Sequence, residues 1–369
     1  MKSISIIGGG FSAWLIASIF TKKKFSVNFF EGENLHFGSQ QISPNGWKAL
    51  TQIVDEEDIK PVFEAFNAIH IKKINSEEIL ELLSNYDLTN NDEVYGSISR
   101  ENLVNILKQQ VLSNKDVKIY SSLINHIIDS DNKIELLDTK KRIFESEFVI
   151  GADGTQGASR KFVVGSNKQT NLKKIFRAIS LDTSSYNLAK KTLQILLHSQ
   201  GYFVIYPTII KNKKATNYIF VPSDNNFSPP IFNSKLLNYL IPNELNWKTS
   251  LVGNNTNEIT SIFKNNVFLF GEAAFPTLPH LAQGGNQILE DAIFLNNFLE
   301  NNNNLNEMVE FFIQNRSIKR EIINQKSKLV GKVLSSHKIT GYFRNLTIQS
   351  KGKEMIEDIL GQVWASKNE

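Results

Sequence analysis

The stretch Ser3-Ile-Ser-Ile-Ile-Gly-Gly-Gly-Phe-Ser-Ala13 joins a β-branched run to a glycine-rich turn of the form G-x-G-x-x-A. An apolar helix is predicted over 14–20, and Val27-Asn-Phe-Phe-Glu31 predicts a second strand that ends in an acid 23 residues after Gly8. In such a unit the glycines let the backbone approach a pyrophosphate, and the acid binds a ribose hydroxyl. The sequence therefore predicts a dinucleotide site near the start of the chain.

A second distinctive stretch lies in the last third of the chain. It reads Gly271-Glu-Ala-Ala-Phe-Pro-Thr-Leu-Pro-His-Leu-Ala-Gln-Gly-Gly-Asn-Gln-Ile-Leu-Glu-Asp-Ala292. The apolar run 266–271 predicts a buried strand before it, and apolar residues at helical spacing predict a helix that begins at about Gly284–Asn286. The free N–H groups and positive dipole of such a helix start suit an electron-rich or anionic group.

Size and composition favour an ordinary two-domain protein. A length of 369 residues predicts two packed domains. The net charge of +4 is too small to indicate a nucleic-acid-binding protein. The chain has no cysteine, which excludes disulfides and cysteine-ligated metal, and no metal site is predicted. Neither a signal-peptide pattern nor a run of about 18 apolar residues is found, so we expect a cytoplasmic protein.

Three motifs in order resemble the single-component FAD-dependent aromatic hydroxylases, in particular the salicylate and 3-hydroxybenzoate hydroxylase branch, related to the hydroxylases of ubiquinone biosynthesis. The first is 8–13 with Glu31. The second is Val149-Ile-Gly-Ala-Asp153-Gly154 with Ser159-Arg160, similar to G-A-D-G-x-x-S-x-x-R. The third is 271–292, similar to G-D-A-A-H-P-x-x-P-x-x-x-Q-G. Smaller matches extend the resemblance over nearly the whole chain.

The resemblance implies an α/β fold. We expect a Rossmann-type (GR2-like) FAD-binding domain, an inserted mixed or antiparallel β-sheet substrate domain, and C-terminal helices. The FAD-binding domain is predicted over 1–70, 95–170 and 263–300, the substrate domain over 71–94 and 171–262, and the helical segment over 301–369.

The resemblance also implies chemistry. FAD is expected as the bound cofactor, NADH or NADPH as a transient co-substrate, and O₂ as the oxidant, with a small aromatic compound hydroxylated through a flavin C4a-hydroperoxide. No second glycine fingerprint is present, which fits transient binding of the nicotinamide. The family's pattern assigns the cofactor contacts to Gly8, Gly10, Phe11, Ser12, Ala13, Glu31, Gln41, Arg100, Asp153, Gly271, Glu272, Pro279, Gln283, Gly284, Gly285 and Asn286.

Arg100 has independent support from its position. It follows Ser99, a plausible helix cap, and so lies in a first turn where a cation gains nothing from the helix dipole. A nearby anion explains this placement; a solvated surface arginine is the alternative.

The predicted catalytic residues are Tyr202, Tyr206, His280 and Gln283. The family's H-x-x-x-Y-P strand is Tyr202-Phe-Val-Ile-Tyr206-Pro207 here, so a tyrosine replaces the histidine that serves some members as a base. A tyrosine of ordinary pKa, about 10, is a poor base at neutral pH. His280 is therefore the first candidate base, and a structural loop histidine is the alternative. Gln283, Gly284 and Gly285 are expected to flank the flavin ring.

Several departures leave alternatives open. Glu272 and Phe275 replace the family's aspartate and histidine, which would suit a flavin-fold binding protein without turnover. A basic C-terminal region predicts either peripheral contact with an anionic membrane or a solvated helical face. That region, and the missing strand histidine, would also suit hydroxylation of a prenylated ring. A halogenase is a more distant alternative because no W-x-W-x-I-P is found. A monomer or a homodimer is expected.

Overall fold

The computed structural model describes residues 2–32, 36–75, 78–88, 94–130, 133–165, 172–253, 261–336 and 338–364. Within these ranges the strands are β1 Ser3–Ile7, β2 Ser26–Glu31, β3 Ser39–Ile42, β4 Phe63–Ala65, β5 Ala68–Asn75, β6 Glu78–Asp87, β7 Gly96–Ser99, β8 Val117–Ser121, β9 Ile124–Ser130, β10 Lys133–Asp138, β11 Ile143–Ser146, β12 Val149–Gly151, β13 Leu172–Ser180, β14 Thr192–His198, β15 Gly201–Ile210, β16 Lys213–Pro222, β17 Lys248–Gly253, β18 Phe263–Lys264 and β19 Val267–Leu269.

The described α-helices are α1 Phe11–Lys22, α2 Pro44–Leu50, α3 Glu56–Ile59, α4 Arg100–Leu112, α5 Ala158–Val164, α6 Thr183–Ala189, α7 Lys235–Leu240, α8 Gln283–Asn301, α9 Leu305–Leu334 and α10 Lys338–Trp364. Short 3₁₀ helices cover Lys60–Val62, Gly271–Ala273 and Pro279–Leu281.

A six-stranded sheet of order β18-β19-β12-β1-β2-β8 carries the predicted dinucleotide unit. β1 pairs in parallel with both β2 and β12, with Ile4 opposite Val27 and Ile6 opposite Ile150. These strands are apolar almost throughout because helices cover both faces of a parallel sheet. The carboxyl ends of β1, β12 and β19 therefore meet at one edge, where the three motifs follow them.

A seven-stranded, mainly antiparallel sheet has the order β17-β13-β16-β15-β14-β5-β6. The two faces of this sheet carry alternate residues of β15, as the sequence pattern predicts. Phe203 and Ile205 pack with Phe220 beneath α7, whereas Val204 and Tyr206 lie on the face that turns toward the six-stranded sheet. The mixed α/β fold with a second, largely antiparallel sheet is confirmed. The exact domain limits stay a prediction.

The C-terminal region forms the long helices α9 and α10. α10 packs against β6, and its last residues, Val363 and Trp364, join a buried cluster with Tyr95 and Tyr206. The expectation that the basic residues of this region are exposed is wrong for Arg316 and Arg320, which are buried against the carboxylate of Asp291. Among the described residues, no helix combines the length and apolarity needed to cross a bilayer.

Candidate functional site

A cavity of about 810 Å³ lies between the two large sheets. The glycine turn after β1, the turns after β12 and β19, and the segment 39–41 line one part of it. β13, β15, β16 and β17 contribute the wall on the opposite side. A single cavity thus runs from the dinucleotide unit to the face of the seven-stranded sheet.

The turn after β1 is shaped by steric necessity. Gly8 has a φ of +140°, and a Cβ at this position would lie 2.5 Å from the carbonyl oxygen of Ala152. Only glycine is tolerated there, because the turn passes directly over β12. α1 then begins at Phe11, and Gly10, Phe11 and Ser12 line the cavity. The first-turn N–H groups of α1 are available to an anion such as a pyrophosphate. Ala13 is instead fully buried in the core.

Glu31 ends β2 as predicted, with its carboxylate 3.0 Å from Lys108 Nζ. Its neighbours Phe30 and Gly32 line the cavity, whereas Glu31 itself does not. The lysine on α4 therefore neutralises the acid beside the adenosine end of the predicted site. The expected ribose contact of Glu31 stays a prediction.

Asp153 follows β12 and lines the cavity. Its carboxylate accepts hydrogen bonds from the backbone N–H of Ser159, at 3.0 Å, and from the Ser159 hydroxyl. Burial raises the pKa of Asp153, and the bonds from Ser159 partly offset this. A Cβ at Gly157 would overlap the Asp153 carboxylate, so this glycine lets the turn close over the side chain.

Some residues of the segment after β19 line the cavity, and others pack in the interior. Glu272, Pro279, Gly284 and Gly285 line the cavity. Gly271 has a φ of +65° and approaches so closely that a Cβ would lie 2.4 Å from Ser12 Oγ. The first and third motifs therefore touch, which their separation in the sequence did not show.

Gln283 and Asn286 differ from the expectation that they face the flavin. Both are fully buried, and neither lines the cavity. Gln283 Nε2 donates to Ser43 Oγ at 3.0 Å, and Asn286 Oδ1 accepts from the backbone N–H of Ser43 at 3.1 Å. Their amides are used to bind a neighbouring backbone segment, because buried polar groups must be paired. In this geometry Gln283 therefore makes no direct contact with the cavity, where a catalytic residue would act.

Gln40 was not among the predicted cofactor contacts. It lines the cavity next to Gln41, and its buried Nε2 has no hydrogen-bond partner among the described residues. A Cβ at Gly285 would lie 1.8 Å from this nitrogen, so Gly285 makes room for the amide. An unpaired buried donor beside the start of α8 calls for an acceptor from a ligand. In the sequence, only the Gln-Gln dipeptide that follows Gly38 and Ser39 could have indicated this role of Gln40.

Two arginines enter the cavity from different elements. Arg100 begins α4, and the Ser99 hydroxyl accepts from Asn102 N at 3.0 Å, which confirms the predicted helix cap. Arg177 comes from β13, and its buried Nε has no hydrogen-bond partner among the described residues. Burial and the nearby charge of Arg100 lower the pKa of Arg177 to about 9, although Tyr206 and Glu272 oppose this. An anionic ligand would stabilise both cations.

Tyr206 lines the cavity, and its hydroxyl donates to the carbonyl oxygen of Ser39 at 3.2 Å. Burial raises its pKa to about 12 despite the two arginines, so it stays protonated at neutral pH. Gln41 lies beside it in the cavity wall and accepts from the hydroxyl of Tyr95.

Tyr202 and His280 contact each other outside the cavity wall, with Tyr202 Oη 2.6 Å from His280 Nδ1. Burial, with a smaller effect of Lys173, lowers the pKa of His280 to about 3. Burial also raises the pKa of Tyr202. Neither group lies against the cavity, and a base of such low pKa is weak at neutral pH. Their predicted roles in proton abstraction stay predictions, and the geometry favours the structural alternative for His280.

The residues present fit FAD. The α1 start and the glycines of the first motif form a passage for a pyrophosphate, and Asp153 and Glu272 provide carboxylates along the cavity. The unpaired amide of Gln40 faces the α8 start, where a ring with carbonyl acceptors would be held. Phe275, in contrast, packs in the core against Phe312 and Arg320, away from the cavity wall.

Comparison with known proteins agrees with this geometry. The family described as "FAD binding domain" matches residues 125–302. The chain is 25% identical over 331 residues to kynurenine 3-monooxygenase of Dictyostelium discoideum, covering 81% of this chain and 70% of that protein. Kynurenine 3-monooxygenase of Legionella pneumophila (strain Corby) is 21% identical, with 89% and 79% covered.

Solved structures show the same fold at low identity. Klebsiella pneumoniae HpxO, complexed with FAD and uric acid, superposes with a TM-score of 0.79 at 14% identity, over 98% of this chain and 96% of that one. A salicylate hydroxylase substrate complex gives a TM-score of 0.72 at 15% identity, over 98% and 97%. The motifs, the cavity and the FAD-binding match together indicate an FAD-binding protein that has the fold of the HpxO and salicylate hydroxylase structures and is similar in sequence to kynurenine 3-monooxygenases.

Proposed function

We propose that the protein hydroxylates a small aromatic compound that carries a carboxylate or another anionic group, using NADH or NADPH and O₂. The observation that carries this proposal is Arg177, a cation in the cavity wall whose buried Nε has no hydrogen-bond partner in the part of the chain that the structure describes. A buried guanidinium N–H without a hydrogen-bond partner is costly, and a carboxylate is the ligand group that best matches a guanidinium.

The surroundings of Arg177 support an aromatic substrate. Ile175 on the same strand lines the cavity, as do Val204, Ile219, Val221 and Val252 on the neighbouring strands. An apolar wall with one cation would bind the ring and orient its anionic substituent. FAD, when bound, accepts reducing equivalents from the nicotinamide and activates O₂. The chain's own residues hold the ring in place and exclude water around it.

The relatives' substrates are compatible with this class. Kynurenine and salicylate are both aromatic acids, and uric acid is a heteroaromatic that ionises. Hydroxylation of a prenylated ring is the second candidate, favoured by the largely apolar sheet wall. Arg177 weighs against it, because a prenyl tail offers no partner for the cation.

The test is NADH and NADPH oxidation by the FAD-loaded protein with kynurenine, salicylate, urate and a short-chain prenyl phenol. Incorporation of ¹⁸O from O₂ into the product identifies hydroxylation. We expect an acid to accelerate oxidation and become hydroxylated. Stimulation by the prenyl phenol alone would instead establish the second candidate. A protein that binds FAD but responds to neither class would contradict both.

We further propose peripheral contact with an anionic membrane through α9. Phe311, Ile318, Ile322 and Leu329 are exposed and spaced seven, four and seven residues apart, so they form one line along the helix. Lys326 and Lys332 lie on either side of this line, which suits anionic headgroups better than a second copy of the same surface.

Flotation with phosphatidylserine-containing vesicles should carry the wild-type protein but not an Ile318→Glu, Ile322→Glu variant. Vesicles of phosphatidylcholine alone should carry neither protein. Equal recovery of the two proteins with phosphatidylserine would sink this proposal. Light scattering on the same samples distinguishes a monomer from a homodimer.

A further inference from the structure

A buried hydrogen-bond network connects the C-terminal helix α9 to the segment 39–45, which includes β3 and enters the cavity. The carboxylate of Glu290 on α8 is its centre. Glu290 Oε2 lies 3.0 Å from Arg316 Nη2 and 2.7 Å from Lys319 Nζ, both on α9. Glu290 Oε1 accepts from Asn45 Nδ2 at 2.5 Å. One side chain thus binds α9 with one oxygen and the segment 39–45 with the other.

Two glutamines on α8 extend the network. Gln287 Nε2 donates to Glu290 Oε1 at 3.2 Å and to Gln283 Oε1 at 3.1 Å. Gln283 Oε1 also accepts from Asn45 Nδ2 at 3.1 Å. Gln283 Nε2 donates to Ser43 Oγ at 3.0 Å, and Ser43 Oγ donates to Asn45 Oδ1 at 2.6 Å. Every link from Arg316 to Ser43 is therefore a direct side-chain contact.

The network attaches the carboxyl-terminal part of the segment 39–45 to α8, beside the bond from the backbone N–H of Ser43 to Asn286, whereas Tyr206 binds its first residue, Ser39. β3 is four residues long and, among the described strands, pairs with β7 alone, from Ser39 opposite Ser99 to Ile42 opposite Gly96. It carries Gln40, the residue whose unpaired amide nitrogen lies beside Gly285 in the cavity. A small shift of the segment would move this donor relative to any flavin bound at the α8 start.

We propose that Glu290 and Arg316 are positioning residues for the flavin site. They hold the segment 39–45 against α8, and so fix the Gln40 amide toward the cofactor, although neither residue lines the cavity. This inference rests on FAD binding in the cavity and is independent of the substrate proposed above.

A purely structural role in joining α8 to α9 is already provided by Asp291. Its two carboxylate oxygens contact Arg316 Nε, at 2.6 Å, and the Arg320 guanidinium. Glu290 can therefore be altered while this ion pair remains. Glu290→Gln keeps the side-chain shape and removes the charge that binds both Arg316 and Lys319. Asn45→Ala breaks the same network at its other end and leaves the contacts of Glu290 with Arg316 and Lys319 in place.

The experiment compares Glu290→Gln, Asn45→Ala and the double variant with the wild type. Glu321→Gln is the matched control, because it makes the same change at an exposed carboxylate of α9, one that accepts a hydrogen bond from Gln325. Three properties are measured: hydrogen exchange of the peptide 39–50 in the apoprotein, the dissociation constant of FAD, and the visible spectrum of bound flavin. Exchange of α9 peptides reports whether the helix packing survives.

We expect each single variant to exchange severalfold faster in 39–50, to bind FAD about 3- to 10-fold more weakly, and to shift the flavin spectrum. The double variant should bind FAD no more weakly than the single variant with the lower affinity, since both substitutions break the same network. The control should match the wild type. Wild-type FAD affinity and spectrum in both single variants, or losses that multiply in the double variant, would overturn the proposal. If Glu290→Gln fails to fold, Asn45→Ala decides alone.

Discussion

Tyr202 Oη lies 2.6 Å from His280 Nδ1, in a contact that joins the seven-stranded sheet to the segment between β19 and α8. Pro279, the residue before His280, lines the cavity, whereas the histidine lies outside the wall. The contact between Tyr202 and His280 therefore supports the cavity wall on the side that faces away from the cavity. The replacement of a family histidine by Tyr202 is understood as part of this contact.

Tyr202→Phe should reduce stability without removing the chemistry. The variant loses one buried hydrogen bond and leaves His280 Nδ1 unpaired, which costs about 1–3 kcal/mol. Urea unfolding of the FAD-loaded protein measures the loss, and the ratio of hydroxylation rate to flavin reduction rate should stay near the wild-type value. A specific loss of hydroxylation would restore the catalytic role predicted for this pair.

His280 should contribute to the pH dependence of stability. Its folded pKa is about 3, chiefly through burial, against an ordinary value of about 6.5. The unfolded chain therefore takes up the proton first as the pH falls. Stability is fully present above pH 6.5, and it is lost progressively between about pH 6.5 and pH 3.

The measurement is the difference in unfolding free energy between pH 7.5 and pH 5 for the wild type and for His280→Asn. The wild type should lose about 2 kcal/mol more than the variant over this interval. An equal loss of unfolding free energy in the two proteins would contradict the burial of a neutral imidazole.

Gly331→Ala should destabilise the protein, although alanine normally favours a helix over glycine. A Cβ at Gly331, inside α9, would lie 2.4 Å from His280 Cδ2 and Nε2. Gly361→Ala in α10 is the matched control, since nothing lies within 4 Å of its added Cβ. We expect a lower melting temperature for the first variant and a gain of about 0.5–1 kcal/mol for the second. Equal changes in the stability of the two variants, with the same sign, would show that His280 does not lie against Gly331.

Gly8→Ala should abolish retention of FAD. The new Cβ would lie 2.5 Å from the Ala152 carbonyl oxygen, and the residue would keep an unfavourable φ of +140°. Absorbance near the flavin maximum and FAD titration of the apoprotein measure the loss, with Gly361→Ala again as the control. A yellow Gly8→Ala protein of normal affinity would remove the first motif from the site.

Arg177→Met should weaken binding of an acidic substrate without affecting FAD. The loss of a charge-assisted contact raises KM by about 10- to 100-fold, whereas flavin content should not change. Lys174→Met, three residues earlier on β13, is the control because Lys174 does not line the cavity. An unchanged KM for every acid tested would show that Arg177 does not bind the substrate.

The glycine motif, the strand–turn–helix order and the two-sheet fold could be predicted because they depend on local properties. Gly8 must be glycine where the turn crosses β12, and the alternation in β15 assigns Val204 and Tyr206 to the cavity face. Backbone sterics and side-chain periodicity act over a few residues, so the sequence displays them directly.

The assignment of particular side chains to the cavity was less accurate, as Gln283 and Gln40 show. Both are glutamines in or near a recognised motif, yet Gln283 is bound to Ser43, whereas Gln40 lines the cavity and its Nε2 has no hydrogen-bond partner among the residues described. The difference depends on which neighbour comes within hydrogen-bond reach, and Gln283 is 240 residues away from Ser43 in the sequence.

The fold class and the dinucleotide unit could thus be predicted from the sequence, because short-range sterics and periodicity encode them, and three motifs added the resemblance to a family. Only the three-dimensional packing shows that His280 lies behind the cavity wall, that Arg316 and Arg320 are buried rather than solvated, and that the Nε of Arg177 has no hydrogen-bond partner within the described ranges. Whether a charge is paired, buried or free for a ligand depends on long-range packing, which no local pattern of residues specifies.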